Sequence, residues 1–187
     1  MPITYLNPAS STTNTNWDSS IVSELDRGET ANIWTSTNNG ATLVVTLDDF
    51  DYAGLGVSSI NSVQIVVVGR YAGRSGSWAA RTKITDSSGT LYYQEDILIP
   101  AGRGMSTETG TARTTSDGST AWTDSDLDGM KIEVFSSNCT TLGEMDQFYI
   151  KVDYSVGYGN NVNGVTAANI SKINGILTAA ISKVNGI

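Results

Sequence analysis

The sequence predicts an all-β protein, an antiparallel β-sandwich of jelly-roll-like form. Three observations support this prediction. About eight short stretches between residues 31 and 157 have the residue pattern of β-strands. Gly, Asn, Asp and Ser separate these stretches at short intervals, as turns do. No long amphipathic helical pattern is present in the same region, so we expect two sheets packed around one core.

Three strands of this region have the clearest patterns. Leu43, Val45 and Leu47 alternate with polar positions, which predicts a strand with one buried face. Residues 63–68 are apolar on both faces and predict a central strand. The closing strand is the most regular, because five apolar residues recur at every second position: Phe148, Ile150, Val152, Tyr154 and Val156.

The strands between them have shorter signals. Thr82 and Ile84 alternate with charged residues, and the turn sequence 86–89 then leads into residues 91–93. Further alternation predicts buried positions in two more strands: Ile97 and Ile99 in one, and Met130, Ile132 and Val134 in the other.

Both ends of the chain differ from this region. Residues 1–30 are rich in Ser, Thr and Asn with isolated apolar residues, which predicts an extended arm lying on a partner or on the protein's own sheet. We therefore divide the chain into an arm (1–30), a sandwich (31–157) and a C-terminal repeat segment (158–187).

The C-terminal segment repeats with a period of eleven residues. Asn-Gly pairs begin at Asn163, Asn174 and Asn185, each between branched aliphatic residues. We interpret the repeat as short helical turns at 167–173 and 178–184 that end at Asn-Gly corners. A series of Asn-Gly hairpin turns is the competing interpretation, since this dipeptide is also a strong hairpin signal.

Two complete repeats and part of a third are too few to bury their own apolar residues. We therefore expect the segment to dock on a partner. The expected docking residues are its aliphatic side chains: Val162, Val165, Ile170, Ile173, Ile176, Ile181, Val184 and Ile187.

Composition excludes several kinds of chemistry. The chain has no histidine, which removes the commonest general base and the Ser-His and Cys-His nucleophile pairs. Cys139 is its only cysteine, so no disulfide forms within the chain. The formal net charge is −8 and all 19 acidic residues precede Val162, so we expect no nucleic-acid partner. We also expect no membrane segment, no cofactor and no classical secretion signal.

Three candidate sites remain, each with a structural alternative. Asp124, Asp126 and Asp128 have the spacing of a calcium loop, but a capped turn before the next strand is our preferred interpretation. The carboxylates of Glu95, Asp96, Glu144 and Asp146 could form a glycosidase pair, although scattered surface acids are the default in such an acidic chain. A third candidate is a sugar-stacking platform on the sandwich, although aromatic residues at strand starts are more often core or interface residues; its rings would be Trp34, Trp78 and Trp122.

Parts of the chain resemble structural proteins of tailed bacteriophages. The body resembles a sandwich domain of phage particles in three segments, 60–67, 122–127 and 149–154. The tail is similar to the N-G-V…I-S-K-I-N-G-V endings of assorted phage structural proteins.

This resemblance implies a non-enzymatic virion protein, assembled in the host cytoplasm. We expect a head decoration or cement protein that binds the major capsid protein or a tail protein through its terminal segments, as a homotrimer. The alternative is a tail-fibre or receptor-binding module whose sandwich holds a host glycan.

Overall fold

The computed structural model describes residues 2–15, 17, 34–36, 41–71, 77–102, 104–137, 143–157, 172–173 and 176–177. They contain twelve strands and one short helix. In chain order the elements are β1 (Ile3–Leu6), β2 (Pro8–Thr15), β3 (Trp34–Ser36), β4 (Thr42–Leu47), β5 (Val57–Tyr71), β6 (Ser77–Thr85), β7 (Leu91–Pro100), β8 (Ser106–Thr109), α1 (Asp124–Leu127), β9 (Lys131–Ser137), β10 (Gly143–Val156), β11 (Lys172–Ile173) and β12 (Ile176–Leu177).

Ten of these strands form two antiparallel sheets. Sheet I has the order β1-β10-β5-β8, and β3 pairs with the beginning of β10. Sheet II has the order β2-β4-β9-β6-β7. The chain passes repeatedly between the two sheets, so the predicted jelly-roll-like antiparallel sandwich is confirmed. At one side of the molecule the edge strand of sheet I is β8 and that of sheet II is β7.

The core lies between the sheets, where alternation along each strand places its apolar residues. Leu43, Val45 and Leu47 of β4 are all buried, as predicted. The same is true of Ile97, Ile99, Met130, Ile132 and Val134. Burying each such side chain stabilises the fold by roughly 1.5–3 kcal/mol.

The predicted central strand and closing strand are neighbours. The predicted central strand, residues 63–68, lies in β5. This strand pairs in antiparallel fashion with β10 on one side and with β8 on the other, which confirms its central position. Four of the five predicted inward residues of β10 are buried: Phe148, Ile150, Val152 and Tyr154. Val156 is 43% exposed because it is the last residue of the strand.

The N-terminal residues contribute to both sheets. Residues 3–6 pair with β10 and residues 8–15 pair with β4. We expected the arm to lie either on a partner or on the protein's own sheet. Residues 3–15 lie on the protein's own sheets. The boundary at residue 30 therefore does not separate residues 3–15 from the sandwich, because their backbone groups complete the edges of β10 and β4.

The C-terminal segment contains one short antiparallel pair. Ile173 of β11 is opposite Ile176 of β12, so two residues connect the paired strands. This register is the one expected of a two-residue hairpin. It contradicts the predicted helical turn at Lys172 and Ile173, and it favours the hairpin interpretation there. The second helical turn, at 178–184, lies outside the described residues.

The expected docking residues fall almost entirely outside the described part of the chain. Only the backbone positions of Ile173 and Ile176 are described. Docking by the segment therefore stays a prediction. Within the described ranges, no helix has the length and apolar character needed to cross a membrane.

Candidate functional site

A groove of about 320 Å³ lies between the edge strands of the two sheets. One wall comes from β7 and the other from β8 and the loop that follows it. Among the described strands, none pairs with the outer edge of β7 or of β8. Both edges therefore have backbone groups free to bind. The groove is lined by Glu95, Asp96, Ile97, Leu98, Glu108, Thr109, Gly110 and Thr111.

Strand register directs two carboxylates into the space between the sheets. In an antiparallel pair, directly opposite residues point to the same face. Glu95 is opposite Thr82, which is fully buried. Glu108 is opposite Val67, which is also fully buried. Both glutamates therefore share the inner face, at the open side of the sandwich.

Glu95 is fixed by the loop after β8. Its Oε2 accepts a hydrogen bond of 2.9 Å from the Thr111 backbone N–H. Arg113 places Nη2 at 3.8 Å from the same oxygen. The Arg113 guanidinium also lies 4.9 Å from the centre of the Tyr93 ring, a cation–π distance. These contacts hold the carboxylate in one orientation at the groove.

The loop is itself attached to β5. The Gly110 N–H donates to the Ile65 carbonyl at 3.0 Å, and Gln64 Nε2 donates to the Gly110 carbonyl at 2.9 Å. Arg113 and Val63 exchange two backbone hydrogen bonds of 2.9 Å. A methyl group at Gly110 would overlap the Glu95 carboxylate, so glycine permits this close approach.

Three buried polar atoms beneath the groove have no hydrogen-bond partner within the part of the chain that is described: the Tyr93 hydroxyl, Glu95 Oε1 and Arg113 Nε. Burial raises the pKa of the Tyr93 hydroxyl, and the nearby Glu95 charge raises it further. The hydroxyl therefore stays protonated at neutral pH and remains a donor. The cluster thus contains two unused donors and one unused acceptor.

The groove carries more negative than positive charge. At its rim, Asp96 accepts hydrogen bonds of 2.8 and 3.1 Å from Arg81, and these lower the pKa of Asp96. Arg113 is the cation beside Glu95. Among the described residues, no Lys or Arg lies within ion-pair distance of Glu108. Glu108 is therefore the uncompensated acid of the groove.

The predicted tryptophan platform does not form from Trp78 and Trp122. Their exposed fractions are 0% and 4%, and both rings pack in the core. A buried ring has no face available for a sugar, so the expectation is wrong for these two residues. Trp122 has a supporting role, since its Nε1 donates to the Arg113 carbonyl at 2.9 Å. Trp34 lies in β3, and its side chain is outside the described part of the structure.

The four carboxylates considered as a glycosidase pair do not line one cleft. Glu95 and Asp96 are consecutive in β7 and point to opposite faces. Glu144 and Asp146 belong to β10 in the other sheet and do not line the groove. Glu144 binds the Arg70 guanidinium through both oxygens. Asp146 is buried at a β-bulge, where burial raises its pKa.

The calcium-like sequence forms the capped turn that we preferred. Asp126 Oδ2 accepts hydrogen bonds from the Thr123 N–H at 2.8 Å and from the Thr123 hydroxyl at 2.7 Å. Its Oδ1 accepts one of 2.8 Å from the Tyr92 hydroxyl. The carboxylate thus caps α1 and ties it to β7. No cluster of three or more metal-binding side chains occurs in the described ranges.

One wall of the groove was not predicted from the sequence. No strand was expected at residues 106–111, whereas residues 106–109 form β8. The signal was the alternation of Thr107, Thr109 and Thr111, since β-branched residues at every second position favour a strand.

No protein-family model matches the chain, and no curated protein matches it. Solved structures of similar fold include a family 6 carbohydrate-binding module from Clostridium cellulolyticum in complex with xylose. It is 10% identical with a TM-score of 0.47, and the match covers 80% of this chain and 96% of that chain. Xyl-CBM35, in complex with a glucuronic acid containing disaccharide, is 14% identical with a TM-score of 0.44, covering 80% and 93%.

A third similar structure is the enzymatically active domain of bacteriophage CBA120 tailspike protein 4. It is 11% identical with a TM-score of 0.43, and the match covers 81% of this chain and 19% of that chain. These similarities concern the fold alone. What each of those proteins binds or cleaves is a property of that protein.

Proposed function

We propose that the protein binds a carbohydrate in the groove between β7 and β8. The observation that carries the proposal is the lining of this groove. It combines carboxylates, threonine hydroxyls and two free strand edges within one concave surface. Sugar hydroxyls both donate and accept hydrogen bonds, so they complement such a mixture.

The groove also offers an apolar contact. Leu98 is 60% exposed and lies in the groove wall, where it can cover the C–H face of a sugar ring. A site with a few oriented polar groups beside an apolar surface is typical of small-molecule binding. Its volume of about 320 Å³ is near the lower end of the range for ligand pockets. A groove of this volume is suited to one or two sugar units.

The groove is organised before a ligand arrives. Glu95 is fixed by Thr111 and Arg113, and the loop that carries them is hydrogen-bonded to β5. A prearranged site loses less conformational entropy on binding than a mobile one does. This is a binding role without catalysis, in keeping with our expectation that the protein is not an enzyme.

The setting that we propose is a bacteriophage particle, on the strength of the resemblances in the body and the tail. Glycan binding favours a receptor-binding module over a head decoration protein. In either location, residues 3–15 belong to the sandwich, which leaves residues 158–187 as the segment proposed to attach to another virion protein. Labelling particles with an antibody to the sandwich distinguishes tail from head.

A glycan array probed with the purified full chain tests the proposed function. We expect hits that weaken in Leu98→Ala and Glu108→Gln. Asp48→Asn is the matched control, because Asp48 is exposed in the loop after β4, and two strands, β9 and β6, separate β4 from β7 in sheet II. An array without hits, or hits that neither groove variant changes, would refute the proposal.

A further inference from the structure

The charge of the groove has a consequence for the kind of glycan that it accepts. We propose that the groove selects sugars with a protonated amine over sugars with a carboxylate, and that Glu108 determines this selectivity. This inference rests on the proposed function, since it names the ligand class of the same groove.

The Glu108 carboxylate faces the inside of the groove. Its register with Val67 turns the carboxylate toward the space between the sheets, where Glu95 also points. Glu108 is partly buried, so a charge near it is screened less by solvent than a charge on the open surface. An ammonium group in the groove would therefore meet an incompletely solvated carboxylate.

Neither nearby cation is open to an anionic ligand. Arg81 binds both oxygens of Asp96, and Arg113 lies between Glu95 and the Tyr93 ring. The one Arg113 nitrogen without a partner among the described residues, Nε, is buried beneath the groove. An incoming carboxylate would have to displace one of these contacts and approach Glu108 at the same time. Like charges in such proximity are unfavourable. A uronic acid is thus disfavoured and an amino sugar is favoured.

The electrostatic field of the whole molecule acts in the same direction. The formal net charge of −8 attracts a cationic ligand and repels an anionic one at a distance. This general effect must be separated from the local effect of Glu108. The control Asp48→Asn removes one negative charge outside the groove, whereas Glu108→Gln removes one inside it.

Calorimetric titration with three disaccharides tests the inference. The probes are the disaccharide of N-acetylglucosamine, the same disaccharide without its acetyl groups, and a disaccharide that contains glucuronic acid. The experiment is run at about pH 6, where the sugar amine is protonated. We expect the amine form to bind about five-fold more tightly than the neutral form, as for a favourable exposed ion pair. The uronic form should bind least.

The variants assign this preference to one residue. In Glu108→Gln the amine and neutral forms should bind with equal affinity, and a urea-unfolding curve that matches wild type should show that the variant is folded. Asp48→Asn should keep the preference. If wild type binds the neutral and amine forms equally, or prefers the uronic form, the selectivity is refuted while carbohydrate binding stands. If no disaccharide binds, both this inference and the proposed function fail.

Discussion

The backbone N–H of Thr111 donates a 2.9 Å hydrogen bond to the carboxylate of Glu95, and this contact joins the edges of the two sheets. Glu95 belongs to β7 of sheet II, whereas Thr111 follows β8 of sheet I. The contact therefore fixes the width of the groove. It also explains the close approach of Gly110, which precedes Thr111 and packs on the same carboxylate.

The first prediction concerns that glycine. The Ala methyl in Gly110→Ala would push the Glu95 carboxylate away from Thr111, since the overlapping atoms belong to a movable side chain. We expect glycan affinity to fall several-fold and the free energy of unfolding to fall by about 1 kcal/mol, the value of one hydrogen bond. Titration calorimetry and urea unfolding measure the two quantities.

Gly104→Ala is the matched control for this variant. No atom of the described residues outside its chain neighbours lies within 4 Å of a methyl group at Gly104, so the substitution should change neither affinity nor stability. Unchanged glycan affinity in Gly110→Ala would show that the position of Glu95 does not matter for binding.

The second prediction separates a core tryptophan from a surface platform. Trp122 is buried and supports Arg113, so Trp122→Ala should lower the free energy of unfolding by about 3–5 kcal/mol. Leu98→Ala should change it by less than about 0.5 kcal/mol, because Leu98 is mostly exposed, while weakening glycan binding. Denaturant unfolding with parallel titration measures both. If Trp122→Ala were as stable as wild type but no longer bound glycan, Trp122 would be a sugar-stacking residue and not a core residue.

The sequence predicted the sandwich well because alternation reports directly on which face of a strand is buried. Leu43 and Phe148 are examples, since each lies in the core where its alternating pattern placed it. Trp78 and Trp122 were assigned to a surface platform, but both are buried. A large apolar ring is equally suited to a core and to a sugar-binding surface, and only burial distinguishes the two.

The third prediction concerns Asp126. In Asp126→Ala the Tyr92 hydroxyl and the two Thr123 donors lose their acceptor, so unfolding should require about 1–2 kcal/mol less free energy. Asp128 is exposed, and Asp128→Ala should change stability by less than about 0.5 kcal/mol. Thermal melting with and without calcium completes the test. A calcium-dependent rise in the melting temperature of wild type that Asp126→Ala abolishes would favour a metal site.

The fourth prediction concerns pH and Asp146. Burial raises the pKa of this carboxyl group above its unfolded value of about 3.9, so the folded state disfavours the charged form. Its contribution to stability therefore becomes less favourable as pH rises from about 4 through the raised pKa. Asp146→Asn removes the charge, so the variant should gain stability relative to wild type between about pH 4 and pH 7.

Urea unfolding of both proteins across this range measures the difference. A difference between Asp146→Asn and wild type that is constant with pH would contradict the assignment.

The groove could not be predicted in the same way as the core. Glu95 and Glu108 come together because β7 and β8 are edge strands of different sheets on one side of the molecule. Neither spacing in the sequence nor alternation within a strand contains that information. Glu108 also lies in a polar strand without a large apolar residue, so its segment lacked the pattern that revealed the other strands.

The most direct test of carbohydrate binding in the groove is nuclear magnetic resonance titration of the full chain. The probe is whichever of the three disaccharides binds most tightly, and the readout is the backbone amide shifts. We predict that the largest changes occur at residues 95–98 and 108–111 and that Glu108→Gln reduces them. Changes centred on residues outside the groove, or no changes at saturating sugar, would contradict the account.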